Sequence, residues 1–280
     1  MRFLRDKDYL KQIQDDNFLQ VIESDQSIRL DMELAAQAEI TSYLAQRYDI
    51  ASIFTNTQSF EIGDTYYGKN LVEYSADDYD AAATYSADDR VVYNGDIYKS
   101  IAGNTAEAFD PAKWTFIAVD KSLFYAKTPE PEYVHSATYT IGDTVWYKDA
   151  TYTATAETTG NLPTDSNFWD FVANYSFSGD YPDDTSKWTQ GDNRNQQIVL
   201  IFVDIVLFHV HSRINPRNIP DLRKQRYNGD DPTDRGGALG WLKKVGAGDL
   251  TADLPSIIPE QGISISYGST EARTNMPDNW

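Results

Sequence analysis

An internal repeat constrains this chain more than any other feature. Tyr85-Ser-Ala-Asp-Asp89-Arg-Val91-Val-Tyr93-Asn-Gly-Asp-Ile-Tyr98 aligns with Tyr139-Thr-Ile-Gly-Asp143-Thr-Val145-Trp-Tyr147-Lys-Asp-Ala-Thr-Tyr152 at a constant offset of 54 residues. Each copy continues through a polar loop with Asn and Pro (Asn104 and Pro111; Asn161 and Pro163) to a tryptophan, Trp114 or Trp169. Each therefore reads as a short hairpin closed by a loop and one Trp, a small module held by aromatic packing. A third start stands at Phe60-Glu-Ile-Gly-Asp64-Thr and a third ending at Pro182-Asp-Asp-Thr-Ser-Lys-Trp188.

The residues around the repeat have another character. Asp+Glu and Lys+Arg number 10 and 6 over residues 1–53, 22 and 8 over 54–189, and 11 and 10 over 190–280. Four of the six tryptophans fall in the middle segment. Such abrupt shifts suggest one domain inserted into another. The expected divisions are 1–53 with 190–253 as a discontinuous helical unit, 54–189 as inserted β modules (repeats about 85–118 and 139–172), and 254–280 as an extended tail. Asp8 is a candidate cap for a first helix through Ile22, and Ser27 for a stronger one whose apolar residues, from Ile28 to Tyr48, are spaced by three and four. Asp192 or Asn193 opens a third, through about Arg213, apolar almost all round from Ile198 to Leu207 as a central bundle helix would be. Pro220 starts a short helix to about Tyr227, and another runs from about Asp234 to Val245.

The formal charge is -19, which argues against a protein whose whole surface wraps nucleic acid. Cysteine is absent, so there is no disulfide scaffold, thiolate metal site or cysteine nucleophile. Three histidines make a zinc enzyme a poor reading. His209 and His211 would lie about 200° apart on a helix, whereas Asp204 and His211 share a face and suggest a buried polar contact between helices or subunits. Gly236-Gly237 and Gly246-Ala-Gly248 lack phosphate-loop patterns, and no Ser sits in a nucleophile elbow. The chain is expected to be no enzyme and to need no cofactor or metal. The charged N-terminus, Met-Arg-Phe-Leu-Arg-Asp-Lys-Asp, lacks the apolar core of a signal peptide, and the longest apolar stretch, Ile198–Val210, is short of a membrane span. A soluble protein without a membrane partner is expected.

Two resemblances follow from these residues. The pattern Tyr-x-x-Gly-Asp-x-Val-x-Tyr-x-x-x-x-Tyr, followed by Asn, Pro and Trp, resembles the small chitin-binding modules appended to chitinases. Their closing aromatic pair stands here as Trp114-Thr-Phe116 and Trp169-Asp-Phe171. The flanking segments resemble head–tail connector (adaptor, neck or ring) proteins of tailed bacteriophages, of the Mu-like and crAss-like type. The matching strings are Ala38-Glu-Ile-Thr-Ser-Tyr43-Leu-Ala-Gln-Arg47-Tyr48-Asp, Arg194-Asn195, Val203-Asp204-Ile205, Leu207-Phe-His209-Val-His211-Ser-Arg213-Ile-Asn-Pro216, Ile219-Pro220, Arg223-Lys-Gln-Arg226-Tyr227, Ala238-Leu-Gly-Trp241-Leu-Lys-Lys-Val-Gly246-Ala-Gly248 and Leu254-Pro255. This resemblance implies a virion protein of the neck, assembled in the host cytoplasm as a homo-oligomeric ring, commonly of twelve copies. It would sit below the portal protein, touch further neck or tail proteins, and let genomic DNA pass through.

The expected fold class is α+β multidomain, an all-α helical connector core interrupted by an all-β insertion of two (possibly three) small repeated modules. Arg213, Arg223, Arg226, Ile263, Ile265 and Tyr267 are candidates for oligomer or portal contacts. Nine Lys+Arg against five acids between Arg194 and Lys244 make a local basic surplus. Arg217, Lys224, Lys243 and Lys244 are the candidates within it for non-specific phosphate contacts in a ring lumen; salt bridges to acidic neighbours would use the same residues. Tyr98, Trp114, Trp146, Tyr152 and Trp169 are candidates for stacking on sugars, and equally for the modules' own cores. The alternative function is a carbohydrate-binding or glycan-adhesion protein of a secreted or surface type.

Overall fold

A computed structural model describes residues 2–13, 25–104, 107–178, 180–214, 216–229 and 236–257. It begins with α1 (Asp6–Tyr9), α2 (Gln26–Leu44) and α3 (Ile50–Ile53). Strands follow as β1 (Thr57–Ser59), β2 (Thr65–Tyr67), β3 (Leu71–Tyr74), β4 (Asp77–Asp78), β5 (Arg90–Tyr93), β6 (Asp96–Ser100), β7 (Trp114–Val119) and β8 (Ser122–Ala126). Then come β9 (Thr138–Tyr139), β10 (Thr144–Tyr147), β11 (Ala150–Ala154), β12 (Thr158–Thr159), β13 (Trp169–Asn174), β14 (Ser176–Ser178) and β15 (Trp188–Gln190). The chain closes with α4 (Gln196–Ile214), α5 (Asp221–Asn228) and α6 (Gly237–Ala247).

One aromatic constellation occurs three times and organises the strands. Tyr79 stacks on Tyr85 with centroids 5.4 Å apart, and Trp114 meets the two edge-on at 5.7 and 5.3 Å. Tyr133, Tyr139 and Trp169 repeat this at 5.5, 5.9 and 5.1 Å. Phe60, Tyr66 and Trp188 repeat it again at 5.6, 6.1 and 5.1 Å. In each copy the central tyrosine hydroxyl accepts from the backbone N–H of the residue after the first ring and donates to the same residue's carbonyl. Those residues are Asp80 (2.7 and 3.1 Å), Val134 (2.7 and 3.2 Å) and Glu61 (2.8 and 2.9 Å). Asp89, Asp143 and Asn70 accept from the backbone N–H of Ser86, Thr140 and Tyr67. Asp110, Asp165 and Asp184 close the turn before each tryptophan, the local side-chain bonding that favours these residues in turns.

The third copy is split by the other two. Its hairpin strands, β3 and β8, pair antiparallel with Tyr74 opposite Ser122, and the whole of the first module lies between those two residues. Its last strand, β15, pairs with β8 through Trp188 opposite Ala126, and the second module fills the loop between them. Residues 60–74, 122–126 and 180–190 are thus a host module carrying two guests. The host sheet has the order β1-β3-β8-β15, with β1 parallel to β3, and β14-β2 lies beside it. The first guest is β4-β5-β6-β7; the second is β10-β11-β13 with β12-β9. Tyr66 and not Phe60 occupies the position of Tyr139, so the third start lies six residues later than the sequence alignment placed it.

The first guest shares its core with the host: Ile97 and Ala118 are buried together with Tyr66, Val72, Tyr74, Phe124 and Trp188. The second guest has a core of its own, Tyr133, Val145, Ala154, Leu162 and Trp169.

The helices pack around α4, whose Ile198, Val199, Ile201–Val203, Ile205–Leu207 and Val210 are buried against residues of α2 and α6 and against Phe3, Leu4, Tyr9 and Phe54. Among the described residues α4 is long and apolar enough to cross a membrane, though half buried; here it serves as the core helix. Asp25, not Ser27, caps α2 by accepting from Ser27 N–H at 2.8 Å. Asn195 receives the N–H groups of Gln197 and Ile198, and Gly248, left-handed at φ 86°, ends α6.

This architecture corrects the expected fold class. The protein is mostly β, in several small sheets, with six helices among the described residues and no large all-α core interrupted by a β insertion. The helical windows are shorter than their pattern suggests: α1 has four residues, and 14–24 lie outside the described residues. The helices also lean on the strands. Arg2 bridges to Thr57, Arg5 pairs with Glu73 and donates to the Lys121 carbonyl at 2.7 Å, and Asn193 donates to the Lys69 carbonyl at 3.0 Å.

Candidate functional site

Both guests carry an aromatic pair on the outside. Tyr98 and Phe116 meet edge-on at 5.9 Å, and Tyr152 and Phe171 at 5.8 Å. The tyrosines are half-buried, while Phe116 is 54% and Phe171 57% exposed. The host has buried Phe124 and exposed Gln190 at the matching positions. Phe116 and Phe171 were absent from the sequence-derived candidates; their signal was the aromatic two residues beyond each module's tryptophan.

The other sugar-stacking candidates lie inside. Trp114 is 6% and Trp169 2% exposed, each wedged against its tyrosine stack, and Trp169 Nε1 donates to the Asn161 carbonyl at 3.0 Å. Trp146 is 6% exposed, and its ring lies against Gly68 so closely that a methyl there would stand 3.1 Å from it. It borders a cleft of about 1260 Å³ between residues 45–58, host residues 65–70, second-guest residues 132–149 and 255–257. Tyr67, Tyr147 and the Lys69–Glu132 ion pair (2.6 Å) line it. Among the described residues no group of three or more His, Asp and Glu side chains could hold a metal ion.

The basic candidates fall into two sets. Arg223 is buried and donates to the Gln12 carbonyl at 3.0 Å; Arg226 bonds Gln12 Oε1 and lies 3.6 Å from Asp204. Both arginines thus have partners within the chain, Arg223 buried and the Arg226 side chain 37% exposed; Asp204 sits within the apolar helix α4 and needs a counter-charge. Burial pushes the Asp204 carboxyl up despite Gln12 and Arg226, and burial with the neighbouring Arg226 lowers Arg223. Asp204 thus faces Arg226, not His211, whose Nδ1 lies 2.7 Å from the Leu207 carbonyl of its own helix. Arg213, Arg217, Lys224, Lys243 and Lys244 are exposed, Lys224 beside Asp221 at 3.1 Å. Ile263, Ile265 and Tyr267 lie outside the described residues.

One polar cluster joins three helices. Glu39 of α2 holds His209 Nε2 of α4 at 2.9 Å and accepts from the Tyr227 hydroxyl of α5 at 2.8 Å, while Tyr227 stacks on Phe208 at 3.8 Å. Burial raises the Glu39 carboxyl, but the bonds from His209 and Tyr227 outweigh it and the net is a lowering. Its geometry is that of an interhelix clamp. No family model matches the chain, and no curated protein matches it.

Proposed function

We propose that this protein is a structural, non-catalytic virion subunit: a head–tail connector of a tailed bacteriophage that assembles with its own copies at the neck, below the portal. The observation that carries the reading is convergence. The strings that resemble connector proteins stand on either side of the β region, yet they meet in one place. Glu39 holds His209 and Tyr227, Arg47 donates to the Ala247 carbonyl at 3.1 Å, and Asp49 N–H donates to the Pro255 carbonyl at 2.8 Å. A methyl on Gly246 would overlap the Tyr43 carbonyl, so that close approach needs glycine. Strings far apart in the chain that touch in the fold support reading them together. In this reading the exposed Arg217, Lys224, Lys243 and Lys244 give non-specific contacts to passing DNA, and the guests project towards further neck or tail proteins.

Labelled antibody against this chain on intact tailed particles tests it: label at the head–tail junction is expected, and label elsewhere or none sinks it. The outward aromatic pairs favour a second reading, attachment to neutral glycans by stacking. A glycan array with the whole protein decides that, with binding expected to vanish in Phe116→Ser/Phe171→Ser.

A further inference from the structure

The guests end their sheets in a way that the host does not. The strand β7 is the last of its sheet and β13 the last of its own; among the described residues no strand pairs with the outer side of either. Both are six residues long. Their sequences, Trp114-Thr-Phe-Ile-Ala-Val119 and Trp169-Asp-Phe-Val-Ala-Asn174, hold no Lys and no Pro, and only one charge, Asp170. The matching host edge, β15, has three residues and leads out towards α4. Native proteins blunt open edges by shortening them, charging them or inserting Pro, because an unprotected edge pairs with another chain. The host follows that rule. The guests keep one device alone, a bulge at Ile117 and at Val172.

We propose that β7 of one copy and β13 of the next pair antiparallel, a strand-to-strand contact that links successive copies of this chain. The occupant is a second copy because each chain offers two edges of equal length. A single head-to-tail contact covers both, and repetition closes into a ring or continues as a filament. Charge favours the mixed pair over β13 on itself: self-pairing sets two copies of Asp170 on one narrow interface, whereas β7 is uncharged. End-to-end register places Thr115 opposite Ala173, both exposed, and sets the two phenylalanines against Val172 and Ile117, the aromatic–β-branched pairing that stabilises sheets.

This contact deepens the connector reading and rests on self-assembly. The chain has no cysteine, so full-length Thr115→Cys and Ala173→Cys variants each carry one thiol. Treated with a short bis-maleimide, the mixture should give covalent dimers and each variant alone should not, while a doubly substituted chain should give a ladder. Phe116→Lys/Phe171→Lys should weaken self-association by about tenfold or more, with near-ultraviolet circular dichroism unchanged. Oligomers in sedimentation without mixed cross-links would overturn the contact and leave the connector reading standing. A chain that stays monomeric would overturn the contact, and absence from particles would then remove the reading as well. Cross-links within either single variant would replace the proposal with two-fold pairing.

Discussion

The guests and the host are built from the same three-ring constellation, with Phe60 in the host where the guests have Tyr79 and Tyr133, the same twice-bonded tyrosine hydroxyl and the same turn-closing aspartate, yet they distribute them differently. Each guest draws its rings from one continuous stretch of about fifty residues or fewer, whereas the host gathers Phe60, Tyr66 and Trp188 from both ends of the β region. The guests put Phe116 and Phe171 on the surface; the host has Gln190 there and turns its edge into a connection to α4. The constellation therefore specifies the module, while the residues beyond it decide whether a copy faces outward or holds the rest together. The guests also differ from each other. The first is fused to the host core through Ile97 and Ala118; the second has a core of its own around Trp169.

The largest effect expected from breaking this comparison is at the tryptophans. Trp188→Ala and Trp169→Ala should each cost about 3–5 kcal/mol locally. Loss of Trp188 should spread to the first guest, while loss of Trp169 stays within the second. Hydrogen exchange of the two variants checks this; protection lost only near 180–190 in Trp188→Ala would show the host to be no keystone. Next come the tyrosine hydroxyls. Tyr66→Phe, Tyr85→Phe and Tyr139→Phe each remove the hydroxyl bonds to Glu61, Asp80 and Val134, whose carbonyls keep the N–H groups of Asp64, Ala83 and Ala137; the cost should be about 0.5–1.5 kcal/mol, and urea midpoints should fall in all three. A Tyr66→Phe variant as stable as the wild type would mean that the host does not rely on the bond its guests use.

A smaller effect concerns acid. Hydrogen bonds from the Ser186 hydroxyl and backbone hold the Asp184 carboxyl below its ordinary value. A lowered folded-state value stabilises the fold above the unfolded carboxylate range and loses that contribution as pH falls through the folded value. Asp184→Ala should therefore be less stable than wild type at pH 7, the gap narrowing below about pH 4; thermal melts at both pH values measure it, and a constant gap would reject the ionic origin. The smallest effect belongs to the outward rings. Phe116→Ser should change stability by about 0.5 kcal/mol or less, as surface substitutions do. A loss of several times that would place Phe116 in the core of the first guest.

The sequence disclosed the guests because nothing interrupts them: a constant offset of 54 residues aligns Tyr85–Tyr98 with Tyr139–Tyr152, and each copy then runs on to its own tryptophan, Trp114 or Trp169. The host was visible only as two fragments, since its hairpin partners Tyr74 and Ser122 stand on either side of a complete module. Its start was misplaced because Gly63-Asp64 imitates Gly142-Asp143, and both glycines do take positive φ, 91° and 93°. Helix α2 follows its apolar spacing, and α4 its continuous apolar run. The wrong fold class came from weighing these helical windows against the repeats alone, without the strands β1, β3 and β8 that no repeat announces. A basic count carries no information about Gln12 and Asp204, the partners of Arg223 and Arg226 within the chain.

Nesting also sets an order of events during synthesis. The first guest's contacts lie within its own span and can form soon after that stretch leaves the ribosome, as local contacts favour rapid folding. Host closure must wait for Trp188, with both guests already made, and its strand pairs cross the whole inserted length. Until then Tyr66, Val72, Tyr74 and Phe124 have no tryptophan to cover them, and the first guest's Ile97 and Ala118 stand beside an unfinished core. Closure of the host core is therefore expected to wait for one side chain, and the interval before it leaves these apolar residues open to aggregation and to chaperones.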